Sequence, residues 1–177
     1  MAHDTDGKSA NVRIRPAAIE DAPRIVEMAR ALTDYENALT GGTRYAGFGL
    51  TVDTIERLCF GARPLCYGLI AEVDGATVGY ILYQLTFDTT SGNVGLWMAD
   101  LYVEAAHRGR GIGHALMRAL LDECPRHDAR EIAWGVMREN DATKAFYDHY
   151  GEIDPDITYW TNIDDLAARI RARSSGD

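Results

Sequence analysis

Residues 107–121 read HRGRGIGHALMRALL, and the reading of this stretch decides the fold. Glycines alternate at positions 109, 111 and 113, with Arg108 and Arg110 placed among them. LWMADLYV (96–103) precedes the stretch and reads as a strand, and a helix follows from about Gly111 to Cys124. The first amides of a helix have no internal acceptor, and the macrodipole places about half a positive charge there. Glycines let the backbone approach an anion closely and adopt positive φ. Arg108 and Arg110 are suited to forked, charge-assisted contacts with phosphate oxygens. The strand, loop and helix together predict a phosphate-bearing ligand. The plain alternative is a tight turn with two solvated arginines.

The totals limit what surrounds that loop. With 177 residues, the chain has the size of one ordinary domain, expected over 11–173 between flexible ends at 1–10 and 174–177. Hydrophobic content of 46% and charge of 25% are globular values. A net charge of −9 argues against a nonspecific nucleic-acid binder, which works through basic patches, and suits cationic partners or plain solubility. Cys59, Cys66 and Cys124 lack metal or CxxC spacing and are expected to be small buried hydrophobes in a reducing compartment. The five histidines form no ligand pair, so no metal is expected. The polar start and the lack of an apolar run of about 18 residues predict a soluble, cytoplasmic protein with no membrane contact.

Outward from the loop, NVRIRPA (11–17) alternates as a strand, and a helix follows with Asp21 as its cap and Pro23 in its first turn. Residues 38–50 are a glycine-rich loop able to close over a ligand, and Thr51 caps a short helix to about Phe60. Two strands joined at Asp74-Gly75 predict a hairpin. Beyond the loop and its helix come a strand in EIAWGVM (131–137) and a helix in NDATKAFYDHYG (140–151). ITYW (157–160) then reads as a strand and TNIDDLAARIRAR (161–173) as a terminal helix. The order predicts a mixed α/β fold, one sheet with helices on both faces.

A dinucleotide fingerprint would need GxGxxG after the first strand of a βαβ unit, whereas here the spacing is GxGxG after a hairpin. A Walker loop fails as well, because the only Gly-Lys-Ser lies at 7–9 in the polar tail. RGRGIG instead resembles the Arg/Gln-x-x-Gly-x-Gly/Ala signature of the GNAT superfamily of N-acetyltransferases, with Arg108, Gly111 and Gly113 at its defining positions. NDATKAFYDHYG resembles the family's downstream helix through Asn140, Phe146, Tyr147 and Gly151, and the resemblance runs over about 12–161. Within the family, the chain looks most like the diamine (spermidine/spermine) and thialysine acetyltransferases.

That resemblance implies a mostly antiparallel sheet whose fourth and fifth strands splay apart to admit acetyl-CoA. Leu101, Tyr102 and Val103 would meet the pantetheine arm, with Leu101 and Val103 offering backbone groups. Arg108, Gly109, Arg110, Gly111, Ile112 and Gly113 would hold the pyrophosphate, with Asn140 and Phe146 completing the coenzyme site. Tyr147 would protonate the leaving thiolate, with Tyr150 as the other candidate. Asp100 would take the amine proton, and Glu36 and Asp88 would line the amine pocket unless they are simply solvated. The partner implied is a small cationic amine, and a homodimer is implied as well. Three departures stand out: Ala99 where the subgroup has a glutamate, TGGTRYAGFG (40–49) where it has a second acidic cluster, and Glu152 where a phenylalanine is usual. Other readings are a GNAT-fold sensor of acyl-CoA without turnover, and transfer to a protein, a peptide or an aminoglycoside.

Overall fold

A computed structural model describes residues 11–42 and 44–152 of the chain. In order, the elements are β1 (Val12–Pro16), α1 (Ala22–Leu39), α2 (Val52–Phe60), β2 (Tyr67–Val73), β3 (Ala76–Phe87), β4 (Val94–Val103), α3 (Ile112–Glu123), β5 (Ala129–Trp134) and α4 (Asp141–Tyr147). The expected strand at 157–160 and terminal helix at 161–173 lie outside the described residues, as do the two chain ends. The chain divides after Asp141 into two compact units, and the sheet belongs to the first.

The strands lie in the order β1-β2-β3-β4-β5. The first four are antiparallel and β5 runs parallel to β4. Asp74 and Gly75 both take positive φ (50° and 83°), the primed turn that matches strand twist and closes the β2–β3 hairpin. Alternation along β3 divides the core. Tyr80 and Leu82 join Ile25, Met28, Ala29 and Ile55 of α1 and α2 on one face. Ile81 and Tyr83 face α3, whose Glu123 accepts a hydrogen bond from the Tyr83 hydroxyl at 3.1 Å. Ile25, Met28 and Ala29 recur at three and four, so one stripe of α1 is dry. Each such fully buried isoleucine or methionine stabilises the fold by about 1.5–3 kcal/mol.

Some local expectations change in three dimensions. The Asp21 carboxylate does not cap α1: a 3-10 turn (Ile19–Asp21) leads directly into the helix, and the side chain turns backwards. It accepts from the Ala18 amide at 2.8 Å and from the Arg15 guanidinium at 2.6 and 2.8 Å. Arg15 also donates to Glu72 at 2.8 Å, which ties β1, β2 and the start of α1 together. Arg15 holds the Asp21 carboxyl below the usual carboxylate range, outweighing the opposing effect of burial. That stabilisation is present above the unfolded pKa, near 4, and is lost as pH falls through the depressed folded value. Asp21→Ala is expected to lower stability by about 1–3 kcal/mol at pH 7 and by less at pH 3, as read by urea unfolding at the two pH values.

The cysteine expectation is also corrected. Cys124 is free and buried, but Cys59 and Cys66 pair as a disulfide with their Cα atoms 4.9 Å apart. The amides of Leu65 and Cys66 both donate to the carbonyl of Leu58, folding the connection back onto the end of α2 and bringing the sulfurs together. Their separation along the chain matches no redox or metal motif, so only the fold of the turn reveals the pair. The fifth strand starts at Ala129 and ends at Trp134, earlier at both ends than its apolar run suggests, because its pairing with β4 stops there.

Candidate active site

The site forms around the second half of β4. Pairing with β5 runs from Val94↔Ala129 to Met98↔Trp134 and stops, while β4 continues to Val103. From Ala99 onward, the edge of β4 away from β3 therefore lacks a β5 partner. The Glu104 amide donates to Val78 on β3 at 2.9 Å. By alternation, Tyr102 also turns its backbone to β3, whereas Leu101 and Val103 turn theirs to the open edge. Consistent with this, the Val103 carbonyl accepts from Nε of Arg108 at 2.9 Å. Tyr102 is 9% exposed and its ring lies in the core beneath α1 and α2.

A bulge decides where Asp100 points. Leu82 pairs with Asp100 and Tyr83 with Met98, so Ala99 is an extra residue on β4 without its own partner. Without it, Met98 and Asp100 would share the α3 face. With it, Met98 stays there and Asp100 crosses to the face covered by α1. There the buried Tyr80 hydroxyl donates to Asp100 Oδ2 at 2.9 Å. Burial pushes the Asp100 carboxyl above its ordinary range, and the Tyr80 hydrogen bond only partly offsets this. Glu36, half-buried on α1, is likewise pushed up by burial, and the nearby Asp100 charge adds to the shift while hydrogen bonding to Tyr45 opposes it. Desolvation and these carboxylates raise the Tyr80 phenol far above the usual tyrosine value, so it stays protonated as a donor. Two carboxyls with raised proton affinity and one fixed donor make a site able to receive a proton from a cationic group.

The glycine loop follows. Gly109 and Gly111 take φ of 72° and 79°, and a Cβ at either would meet nothing within 4 Å, so the backbone is open to close approach. Gly111 caps α3 in the left-handed region, and its carbonyl receives the Ala115 amide at 3.0 Å. The amides that precede this bond, those of Ile112 and Gly113 among them, lie at the positive end of a 12-residue helix. Gly113 lies inside α3, so positive φ is needed at two of the three glycines. The Ile112 side chain is buried, leaving only its backbone for a ligand. Arg108 turns back on the fold: its guanidinium lies 5.2 Å from the Tyr35 ring centre and 5.7 Å from that of Tyr102, while Arg110 is exposed. The loop thus offers open backbone amides, and β4 offers an edge that β5 leaves unpaired.

Other residues singled out from the sequence are distributed unevenly. Asn140 is buried, and its Oδ1 accepts from the Tyr35 hydroxyl at 3.2 Å. Asp88 is six residues beyond Leu82, the partner of Asp100, which places it about 20 Å away along β3. Its carboxylate accepts from the Thr90 and Ser91 amides of its own turn, which hold its pKa low. In the second unit, Tyr147 is 8% exposed, with the Phe146 ring edge-on at 5.2 Å. Tyr150 is 39% exposed. Tyr80, Tyr45 and Arg44 were not foreseen as site residues. Tyr80 reads as one more core position in an alternating strand, and only the cross-strand register puts it against Asp100. Among the described residues no cluster of His, Cys, Asp or Glu is arranged to hold a metal ion, and no helix is long and apolar enough to cross a membrane.

Known proteins share this fold. The model of the acetyltransferase (GNAT) family matches residues 32–151. A human spermidine/spermine N(1)-acetyltransferase-like protein 1 is 32% identical over 149 residues, 80% of this chain. The chain spans about a fifth, 20%, of the length of that protein. A pig thialysine N-epsilon-acetyltransferase is 27% identical over 153 residues, covering 82% of this chain and 86% of the relative. Among solved structures, a ribosomal-protein-alanine N-acetyltransferase from Brucella melitensis superposes with a TM-score of 0.69 at 18% identity, covering 86% of this chain and all of that one. An aminoglycoside N-acetyltransferase in complex with CoA superposes with a TM-score of 0.69 at 16% identity, covering 89% of this chain and 98% of that one.

Proposed function

The chain belongs to the acetyltransferase (GNAT) family, and from that premise we propose that it transfers the acetyl group of acetyl-CoA to a primary amine of a small cationic acceptor, a thialysine-like amino acid or a polyamine. The relatives named for spermidine/spermine and thialysine acetylation support the amine class. Acetyl-CoA, the donor used by this family, supplies an activated thioester. Backbone groups of Leu101 and Val103 and amides of the 108–113 loop hold it.

The remaining chemistry falls to side chains. A lysine-like amine with a pKa near 10.4 is neutral in only about one molecule in 10³ at pH 7.4, a penalty of about 4 kcal/mol. Asp100 Oδ2, raised in proton affinity and oriented by Tyr80, receives that proton directly or through water, and Glu36 attracts the cation. The neutral amine attacks the thioester carbonyl, and Tyr147 Oη protonates the departing sulfur. The observation that carries this reading is the Ala99 bulge, which turns the half-buried Asp100 carboxyl towards Tyr80 on the strand whose far edge β5 leaves open.

Its test is thiol release from acetyl-CoA by the purified protein with thialysine, lysine, spermidine, putrescine, an aminoglycoside and a lysine-bearing peptide. Release with the small amines and little with the peptide is the expected result. Release with the peptide alone would replace the acceptor class.

A further inference from the structure

The glycine-rich segment after α1 is tied back to that helix. Gly41 and Gly42 take φ of 66° and 81°, and the Gly42 amide donates to the Asn37 carbonyl at 2.7 Å, reversing the chain at the end of α1. The Asn37 side chain then grips the Tyr45 backbone, accepting its amide at 2.8 Å and donating to its carbonyl at 3.4 Å. Farther along, the Phe48 ring lies under the Arg30 guanidinium at 4.4 Å, and Phe48 and Leu50 pack against the core beneath α1 and α2. Arg44 sits between these anchors. It is exposed, its guanidinium lies 5.6 Å from the Tyr45 ring centre, and it interacts most strongly with the Tyr45 side chain and more weakly with the charges of Glu36 and Glu139. It takes no part in the ion pairs found among the described residues.

We propose that Arg44 makes the site selective for an acceptor carrying a carboxylate as well as the reacting amine, a diamino acid rather than a polyamine. The inference rests on the acetyl-transfer reading above and deepens it. Glu36 and Asp100 attract one ammonium group. A polyamine brings further ammonium groups and calls for further carboxylates around them. The charged side chain on the segment clasped by Asn37, the chain neighbour of Glu36, is instead a guanidinium, which repels a second cation and presents a planar fork to a carboxylate. A diamino acid satisfies both ends, its side-chain amine at the acidic pair and its carboxylate at Arg44.

The test uses the full-length protein and three matched pairs of acceptors that differ by the carboxylate: lysine and cadaverine, thialysine and its decarboxylated analogue, 2,4-diaminobutyrate and 1,3-diaminopropane. Turnover is followed by thiol release and binding by calorimetry with CoA present. The wild type is expected to favour the carboxylate-bearing member by roughly 10- to 100-fold in kcat/KM, the range of a charge-assisted hydrogen bond. The preference should lie in KM and Kd rather than in kcat. Arg44→Gln should abolish it, Arg44→Lys should retain part of it, and Arg44→Glu should reverse it towards the diamine. Arg44 is exposed, so these variants should fold. Equal use of both members by the wild type, or a preference that survives in Arg44→Gln, would overturn the inference while leaving acetyl transfer intact. If no amine released thiol, the acetyl-transfer reading would fail instead, and calorimetry of the same pairs would still decide the carboxylate preference.

Discussion

Tyr147→Phe is expected to lower kcat by about 10²- to 10⁴-fold, a rise of roughly 3–5 kcal/mol in the barrier, while acetyl-CoA binding changes little. The substitution removes one hydroxyl and keeps the ring. Tyr147 is 8% exposed and its ring meets Phe146 edge-on, so phenylalanine preserves the packing. What disappears is a proton at the moment the carbon–sulfur bond breaks and negative charge collects on sulfur. An interaction made only in the transition state shows in kcat and kcat/KM together, with Kd for the donor as the control. Tyr150→Phe makes the matched comparison, because Tyr150 is 39% exposed on the same short segment. If Tyr147→Phe kept most of its turnover and Tyr150→Phe did not, the acid would be Tyr150.

Asp100→Asn is the second large effect, and it has two signs. Activity near pH 7 should fall by about 10²- to 10³-fold, because the amide cannot take the proton of the arriving ammonium. Without that base, the variant depends on the small neutral fraction of free amine, so its rate should climb about tenfold per pH unit towards the amine pKa. Stability should move the other way. Burial raises the Asp100 pKa above its unfolded value, so between the two values the folded chain binds more protons than the unfolded chain. Stability of the wild type therefore falls as pH rises through that window. Asparagine carries no charge there, and its side-chain oxygen can still accept from Tyr80. The variant should thus melt higher than wild type at pH 7, and the gap should close towards about pH 3, where the aspartate is mostly neutral both folded and unfolded. Thermal unfolding at pH 7 and pH 3 reads this directly. A variant less stable at pH 7 would mean that Asp100 is held as a structural anion rather than as a strained base.

The elements that the sequence announced are those whose signals are local. Asp74-Gly75 takes the positive φ pair that its dipeptide demands, and Thr51 accepts the Thr54 amide at 3.2 Å as a cap should. The glycine loop was legible because a helix start, positive φ and an open backbone are all properties of adjacent residues. Asp21 shows where local reasoning stops. Its position suits a cap, but Arg15 on β1 offers a charged partner, and the carboxylate goes to the stronger bond.

By itself, then, the sequence determined the order of the described helices and strands, the hairpin, the glycine loop before α3 and the family resemblance, because each depends on residues within a few positions of one another. Tertiary structure alone decided what surrounds Asp100 and Glu36. The one-residue bulge at Ala99 selects the face on which Asp100 emerges, and cross-strand register brings Tyr80 to it. The Asn37 clasp holds the Arg44 segment at Glu36, and the turn after α2 brings Cys59 to Cys66. The physical reason is the two-residue period of a strand. A single unpaired residue reverses every side chain beyond it, and only the partner strand shows where that residue lies.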